Sequence, residues 1–302
     1  MARPFRFGVN MVALSSGSSG SSGDEWRKKC RRAEELGYDV ILVPDHLGAP
    51  APFPAVVAAA EATERPRVGT FVLNAGFWNP ALLAREVATA DALTGGRLEL
   101  GLGTGYVQAE HDAAGLPWGS PGERVDHLRR TVEELGRLLG AEEHQPQPVQ
   151  RPRPPLAIGG NGDRMLELIA EHADIAAFTG AKAVPGDTGG KMLHLTPEEL
   201  DERVAAYRRF AAGRSAPAEL NLLIQMVEVT DDRRAAIRPV LEYVPHLTED
   251  AALALPLLLV GTVRQIAEQL RAQRERYGFS YFTVLEPYFE AFGPIIEELS
   301  GS

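Results

Sequence analysis

Short apolar runs alternate along this chain with longer stretches in which apolar residues recur every three or four positions, the periods of buried strands and amphipathic helices. Residues 5–12 form the first run, and residues 24–37 then place Trp26, Cys30, Ala33 and Leu36 on one helical stripe that stops at a glycine. Residues 40–43 are a second compact run, followed by an alanine-rich helix at 54–63. Residues 68–74 predict a third strand, and the next helix opens with Asn79 at its cap and Pro80 in its first turn, ending near Gly95 and Gly96. The order repeats at 98–103 and 121–139, at 156–159 and 163–172, and at 174–178 and 196–210, where Thr196 and Glu199 have capping-box spacing. Further strands are predicted at 220–229 and 281–285, with helices at 233–243, 263–276 and 290–299.

Eight short, doubly buried strands alternating with helices predict an α/β fold, a closed (β/α)8 TIM barrel, with an open doubly wound sheet as the alternative. The proline-rich stretch at 146–155 leads straight into a strand, so one domain is expected over residues 1–302. Two segments break the pattern. Residues 15–23 are three copies of Ser-Ser-Gly directly after the first strand, which reads as a solvated linker, either an engineered replacement for an ordered loop or a natural low-complexity loop. Residues 180–194 are polar and glycine-rich and long enough for an active-site lid, or for a plain surface loop.

Composition narrows the function classes. With 44% hydrophobic and 24% charged residues the chain can build a real core, and its formal charge of −10 argues against non-specific nucleic-acid or anionic-membrane partners. No apolar run has the length of a membrane span, and the N-terminus shows no secretory signature. The single cysteine, Cys30, excludes an internal disulfide framework and fits a reducing, cytoplasmic setting; its place on a helical stripe reads as a small buried residue. No zinc spacing, Walker sequence or nucleophile elbow occurs, so metal hydrolase and nucleotide kinase chemistries drop out.

In a barrel of this kind the chemistry gathers at the C-terminal ends of the strands. The second strand ends in Val43-Pro44-Asp45-His46, an imidazole beside a carboxylate able to orient it, or else a structural Asp and a satisfied His. The fourth ends in Gly101, Gly103, Thr104 and Gly105, glycines that either leave a bare face for a flat ring or form a tight corner. The fifth ends in Gly159, Gly160, Asn161 and Gly162 and runs into a helix at Asp163, a convergence of N–H groups suited to phosphate, or a capped turn.

Together these strand ends resemble the luciferase-like monooxygenase superfamily, and within it the branch using the deazaflavin coenzyme F420. The resemblance is carried by residues 37–46 (GYDVILVPDH), 68–80 (VGTFVLNAGFWNP), 96–115 (GRLELGLGTGYVQAEHDAAG), 154–163 (PPLAIGGNGD) and 259–270 (LVGTVRQIAEQL), in that order. It implies an oxidoreductase that transfers hydride between F420 and a small organic substrate. His46 would be the acid/base with Asp45 beside it, and a strand bulge with a cis Phe71–Val72 peptide would back the ring, near Asn74 and the Gly103-Thr104-Gly105 segment. The cofactor phosphate would rest at Gly159 to Gly162.

The alternatives are an FMN-dependent monooxygenase using oxygen and a catalytically inactive flavin-binding barrel. One departure stands out: where a sugar-phosphate dehydrogenase branch carries a glutamate after the glycine-rich strand end, this chain has Tyr106, either a proton donor or a pocket wall. The aromatic residues Trp78, Trp118 and Phe178 are further candidates for a pocket wall. The small apolar faces at Ala55, Val56, Ala58, Ala59, Ala60, Ala81, Leu82, Leu83, Val87 and Ala88 add the expectation of a homodimer through the helices after the second and third strands.

Overall fold

Strands that are apolar on every position need cover on both faces, and the chain supplies it by closing a parallel sheet on itself inside a ring of helices. The computed structural model describes residues 3–12, 22–184, 186–242 and 247–300. The first half runs β1 (Arg6–Asn10), α1 (Ser22–Glu35), β2 (Val40–Val43), α2 (Pro52–Ala62), β3 (Arg67–Thr70), β4 (Leu73–Asn74), α3 (Pro80–Leu93), β5 (Leu98–Gly103), α4 (Gln108–Ala114) and α5 (Pro121–Gly140). The second runs β6 (Leu156–Gly159), α6 (Asp163–His172), β7 (Ile175–Phe178), β8 (Ala181–Ala183), β9 (Met192–His194), α7 (Pro197–Phe210), β10 (Glu219–Ile224) and β11 (Met226–Val229). It ends with α8 (Arg233–Leu241), α9 (Glu249–Leu253), β12 (Leu258–Gly261), α10 (Val263–Tyr277), β13 (Tyr281–Leu285) and α11 (Phe289–Leu299).

The strand order is β3-β2-β1-β13-β10-β7-β6-β5-β4, and β3 also pairs with β5, so the sheet closes. Since β3 and β4 are one strand interrupted at Phe71 and Val72, the closed barrel has eight parallel strands. The interruption is a bulge: Gly69 lies opposite Glu99 and Asn74 opposite Gly103, leaving one residue more on the β3–β4 side. The Phe71–Val72 peptide bond is cis. Two glycines permit the close approach here. A Cβ on Gly101 would lie 2.1 Å from Thr70 O, and one on Gly69 would lie 2.3 Å from Glu99 O. Thr70 Oγ1 stitches the bulge to β5, donating to Gly101 O and accepting from Gly101 N, both at 2.9 Å.

The larger apolar core lies between strands and helices, and a smaller one, including Val40, Leu42, Phe71, Ala157, Ala177 and Tyr281, fills the barrel interior. Its floor is ionic: Arg6 pairs with Glu99 and Glu219 at the starts of β1, β5 and β10, Arg67 pairs with Glu99, and the Arg6 guanidinium lies 4.4 Å above the Tyr281 ring. With that end plugged, the access side is the opposite one.

Several sequence expectations change. The run at 220–229 divides at Gln225, whose N–H turns to Leu257 O. Only β10 stays in the barrel, while β11 pairs with β12 outside it beside α8 and α9. Residues 180–194 carry an antiparallel hairpin, β8 with β9. Positions 15–21, 185 and 243 lie outside the described residues, and Ser22 and Gly23 belong to α1. Of the faces expected to form a dimer, Ala55, Val56, Ala59, Ala60, Leu83, Val87 and Ala88 are buried within one molecule, while Ala58, Ala81 and Leu82 keep surface exposure. No helix among the described residues is long and apolar enough to cross a membrane.

Candidate functional site

The loops after β2 and β5 bring His46, Tyr106 and Glu110 together at the open end of the barrel. His46 Nδ1 lies 2.8 Å from Glu110 Oε1, and its Nε2 lies 3.3 Å from Tyr106 Oη. The imidazole and phenol rings meet edge to face, 5.4 Å between centroids and 86° between planes. A carboxylate only accepts, so the ring proton sits on Nδ1 and the phenol donates to Nε2. Burial, reinforced by the Glu110 charge, pushes the Tyr106 phenol above its ordinary range, so it is protonated near neutrality. Glu110 escapes a reading of strand ends because it sits in the first turn of α4, well past the end of β5. The available signal was an acidic residue in the first turn of a short helix following a glycine-rich strand end.

Asp45 is not the partner of His46. Its Oδ2 accepts from Trp78 Nε1 at 2.9 Å and from the Asn74 N–H at 3.2 Å, anchoring the end of the bulged strand to the β2 loop. Burial pushes its carboxyl above the usual range, opposed by those two hydrogen bonds. Asn74 is likewise engaged at both ends. Its Nδ2 donates to His111 Nε2 at 2.9 Å, its Oδ1 accepts from Gly76 N at 3.0 Å, and His111 Nδ1–H donates to Pro117 O at 3.0 Å.

The glycines at the end of β5 do not leave a bare face. A Cβ on Gly103 would lie 2.7 Å from Val72 Cγ2, and one on Gly105, whose φ is +71°, would lie 2.6 Å from the Asn74 carboxamide. Val72 therefore fills the hollow made by Gly101, Gly103 and Gly159, and it is Val72 that would meet a ring lying over the bulge. Thr104 makes only a 3.3 Å bond from Oγ1 to Gly105 O. Phe71 is buried in the interior, and its carbonyl accepts from Asn10 Nδ2 at 3.3 Å, while Asn10 Oδ1 is buried without a partner.

After β6, Gly160 N–H bonds Ala177 O at 3.1 Å, and Gly162 occupies the N-cap of α6 with no side chain capping the helix and open space where a Cβ would go. Asn161 Nδ2 donates to Thr179 Oγ1 at 2.6 Å and Ala181 O at 2.7 Å, tying this loop to the β8–β9 hairpin, and Asn161 Oδ1 is buried without a partner. The hairpin reaches across to the β5 exit. Thr188 O accepts from Ala109 N–H at 3.3 Å, and Gly190 packs so closely that a Cβ would lie 2.7 Å from Val107 and 2.9 Å from Tyr106.

Other candidates fall away from the mouth. Phe178 is buried in the outer core against Tyr207 and Phe279, and Trp118 packs on His111 beneath Arg124. Cys30 is buried and its thiol is pushed up to about 12 by that burial, which removes it as a nucleophile. Among the described residues no group of three or more His, Cys, Asp or Glu side chains is placed to hold a metal ion.

Comparison with known proteins follows the same lines. A stretch of 122 residues is 40% identical to an F420-dependent glucose-6-phosphate dehydrogenase of Intrasporangium calvum, covering 37% of this chain and 36% of that protein. Another of 198 residues is 28% identical to the oxygenase component of a flavin-dependent trigonelline monooxygenase of Acinetobacter baylyi, covering 59% and 51%. The chain thus matches only about a third to a half of the length of these curated relatives. Among solved structures, the coenzyme F420-dependent tetrahydromethanopterin reductase of Methanopyrus kandleri superposes with a TM-score of 0.75 at 16% identity, over 98% of this chain and 100% of that one, a likeness of fold. The family model described as luciferase-like monooxygenase matches residues 5–281, and the chain belongs to that family.

Proposed function

We propose that this protein is an F420-dependent oxidoreductase that moves hydride between the deazaflavin and a small organic substrate, with His46 managing the accompanying proton. The observation that carries the reading is the His46 imidazole held between Glu110 and Tyr106 at the barrel mouth, a proton-handling group. The partial match to an F420-dependent dehydrogenase supports the choice of cofactor. When bound, F420 supplies the carbon that accepts or releases hydride.

The residues present fit such a group. Val72 offers an apolar support over the bulge, the uncapped N-terminus of α6 behind Gly159, Gly160 and Gly162 suits a phosphate, and Asn10 Oδ1 and Asn161 Oδ1 are buried acceptors lacking donors. Val72 would fix the ring's height, the loop after β6 would hold the phosphate, and the β8–β9 hairpin would shield the site from water. His46 takes or returns a proton at Nε2. The single, buried cysteine supports a cytoplasmic location. A homodimer through α2 and α3 would use Val57, Ala58, Ala81 and Leu82, which are among the apolar residues those helices leave at least partly outward.

The second reading is an FMN-dependent monooxygenase, favoured by the match to the flavin-dependent trigonelline enzyme over 59% of the chain. Titration of the purified protein with F420 and with FMN, followed by fluorescence, separates the two. Tight F420 binding with weak FMN binding is expected. Tight FMN binding without F420 binding overturns the first reading, and binding of neither leaves an inactive barrel.

A further inference from the structure

The two nitrogens of His46 face partners of different chemistry. Glu110, its side chain only 16% exposed, sits at Nδ1, and a carboxylate, which only accepts, keeps a proton on that nitrogen in both charge states of the ring. The proton that comes and goes is therefore the one at Nε2. That nitrogen points at Tyr106 Oη, and Tyr106 is 48% exposed at the mouth. Asp45, the other carboxylate near the ring, is occupied by Trp78 and the Asn74 N–H. Tyr106 is in turn held by Gly190 of the hairpin, which packs against its ring.

We propose that Tyr106 exchanges the reaction's proton with a substrate hydroxyl or carbonyl oxygen, that His46 Nε2 stores the proton behind it, and that Glu110 is the positioning residue fixing the imidazole tautomer. The proposal rests on the oxidoreductase reading above and names its substrates as alcohol and carbonyl pairs. In the oxidising direction the substrate O–H bond breaks and its proton forms a new Oη–H bond. The former phenolic proton forms the Nε2–H bond. The electron pair left on the substrate oxygen becomes the carbonyl bond as hydride departs to the deazaflavin, and the imidazolium is neutralised by Glu110. Reduction runs the same bonds in reverse.

The test combines a measurement on the cofactor-free protein with one on turnover. Nitrogen-15 imidazole NMR of the wild type, followed across pH, should show the proton of the uncharged His46 form on Nδ1. Glu110→Ala should move that proton toward Nε2, and Glu110→Asp should return part of it. Tyr106→Phe, a change on a half-exposed side chain, should keep the tautomer and bind F420 within about twofold. With F420 saturating and a panel of secondary alcohols headed by propan-2-ol, its kcat should fall by about 100-fold or more while KM stays level. A wild-type proton on Nε2, or an unmoved tautomer in Glu110→Ala, overturns the role of Glu110. A Tyr106→Phe kcat within threefold of wild type, or a wild type that binds F420 and oxidises no alcohol of the panel, overturns the relay and leaves the cofactor reading standing. Failure to bind F420 defeats the cofactor reading instead, and the tautomer result still decides what Glu110 does.

Discussion

Alanine at Gly103 tests what the glycine-rich end of β5 is for. The added Cβ would lie 2.7 Å from Val72 Cγ2, about 1 Å inside ordinary carbon–carbon contact, and the next neighbour, Gly159 O, is 3.9 Å away. The whole conflict is therefore with one methyl group. Val72 is branched at Cβ and has few rotamers to escape into, so the residue must shift as a unit at a cost of about 1–3 kcal/mol. At roughly 2 °C per kcal/mol for a chain of this size, the melting temperature of Gly103→Ala should drop by about 2–6 °C. Val72→Ala removes the offending methyl, so in the double variant the two changes should be less damaging together than their sum, by more than about 0.5 kcal/mol. Calorimetry on the wild type, both single variants and the double gives that coupling. Additivity within about 0.5 kcal/mol would refute the idea that these glycines exist to seat Val72. The same variants report on function: Gly103→Ala should lose F420 affinity by roughly tenfold, equivalent to about 1.4 kcal/mol, and the double should recover much of it.

Gly162→Asp should raise stability and lower cofactor affinity together, because a carboxylate can cap α6 in open space, worth a few tenths of a kcal/mol beyond glycine, yet would oppose a phosphate there. A phosphate-free deazaflavin chromophore should bind the variant as it binds the wild type, and a loss shared by both ligands would move the phosphate site elsewhere. Glu99→Gln at the barrel floor, where the side chain is 5% exposed and pairs with Arg6 and Arg67, should cost about 3 kcal/mol, since Glu219 still holds Arg6; a melting temperature unchanged within about 1 °C would show the floor is not held by these pairs. Asp45 holds its proton more tightly folded than unfolded, so its contribution is full below the ordinary carboxyl pKa of about 4 and is lost as pH rises through the raised folded value. The melting temperature of Asp45→Asn should therefore gain on that of the wild type between pH 4 and pH 7, and a constant difference would show that Asp45 is not perturbed.

The barrel was legible because strands covered on both faces leave uniform apolar runs that few other folds produce. The split between β10 and β11 was not, since polar residues recur along 219–229 at Glu219, Asn221, Gln225 and Glu228, and nothing in that pattern singles out Gln225 as the point where the backbone changes partners. Alanine faces on α2 and α3 look the same in sequence whether they pack on a neighbouring molecule or on the barrel wall, and most of their residues are covered within one molecule. His46 could be found from its place at a strand end. Its partner could not, because 64 positions separate it from Glu110 and no local spacing encodes the contact. Adjacent Asp45 was the natural guess, but neighbouring residues leaving a strand turn to opposite sides, and Asp45 turns toward Trp78 and Asn74.

The residue after Gly105 changes the character of the site more than its charge. The resemblance placed a carboxylate there, and this chain instead sets Tyr106 at that position and Glu110 four residues on, in the first turn of α4. A carboxylate has not been lost from the mouth; it stands behind the imidazole, on Nδ1, with a neutral phenol on the outer nitrogen. Two consequences follow from that order. The outermost group presents a hydrogen-bonding phenol and no fixed charge to an incoming substrate. The imidazole, if it gains a proton from Tyr106, does so 2.8 Å from a counter-charge that is already in place, which stabilises the charged form without any movement of the protein.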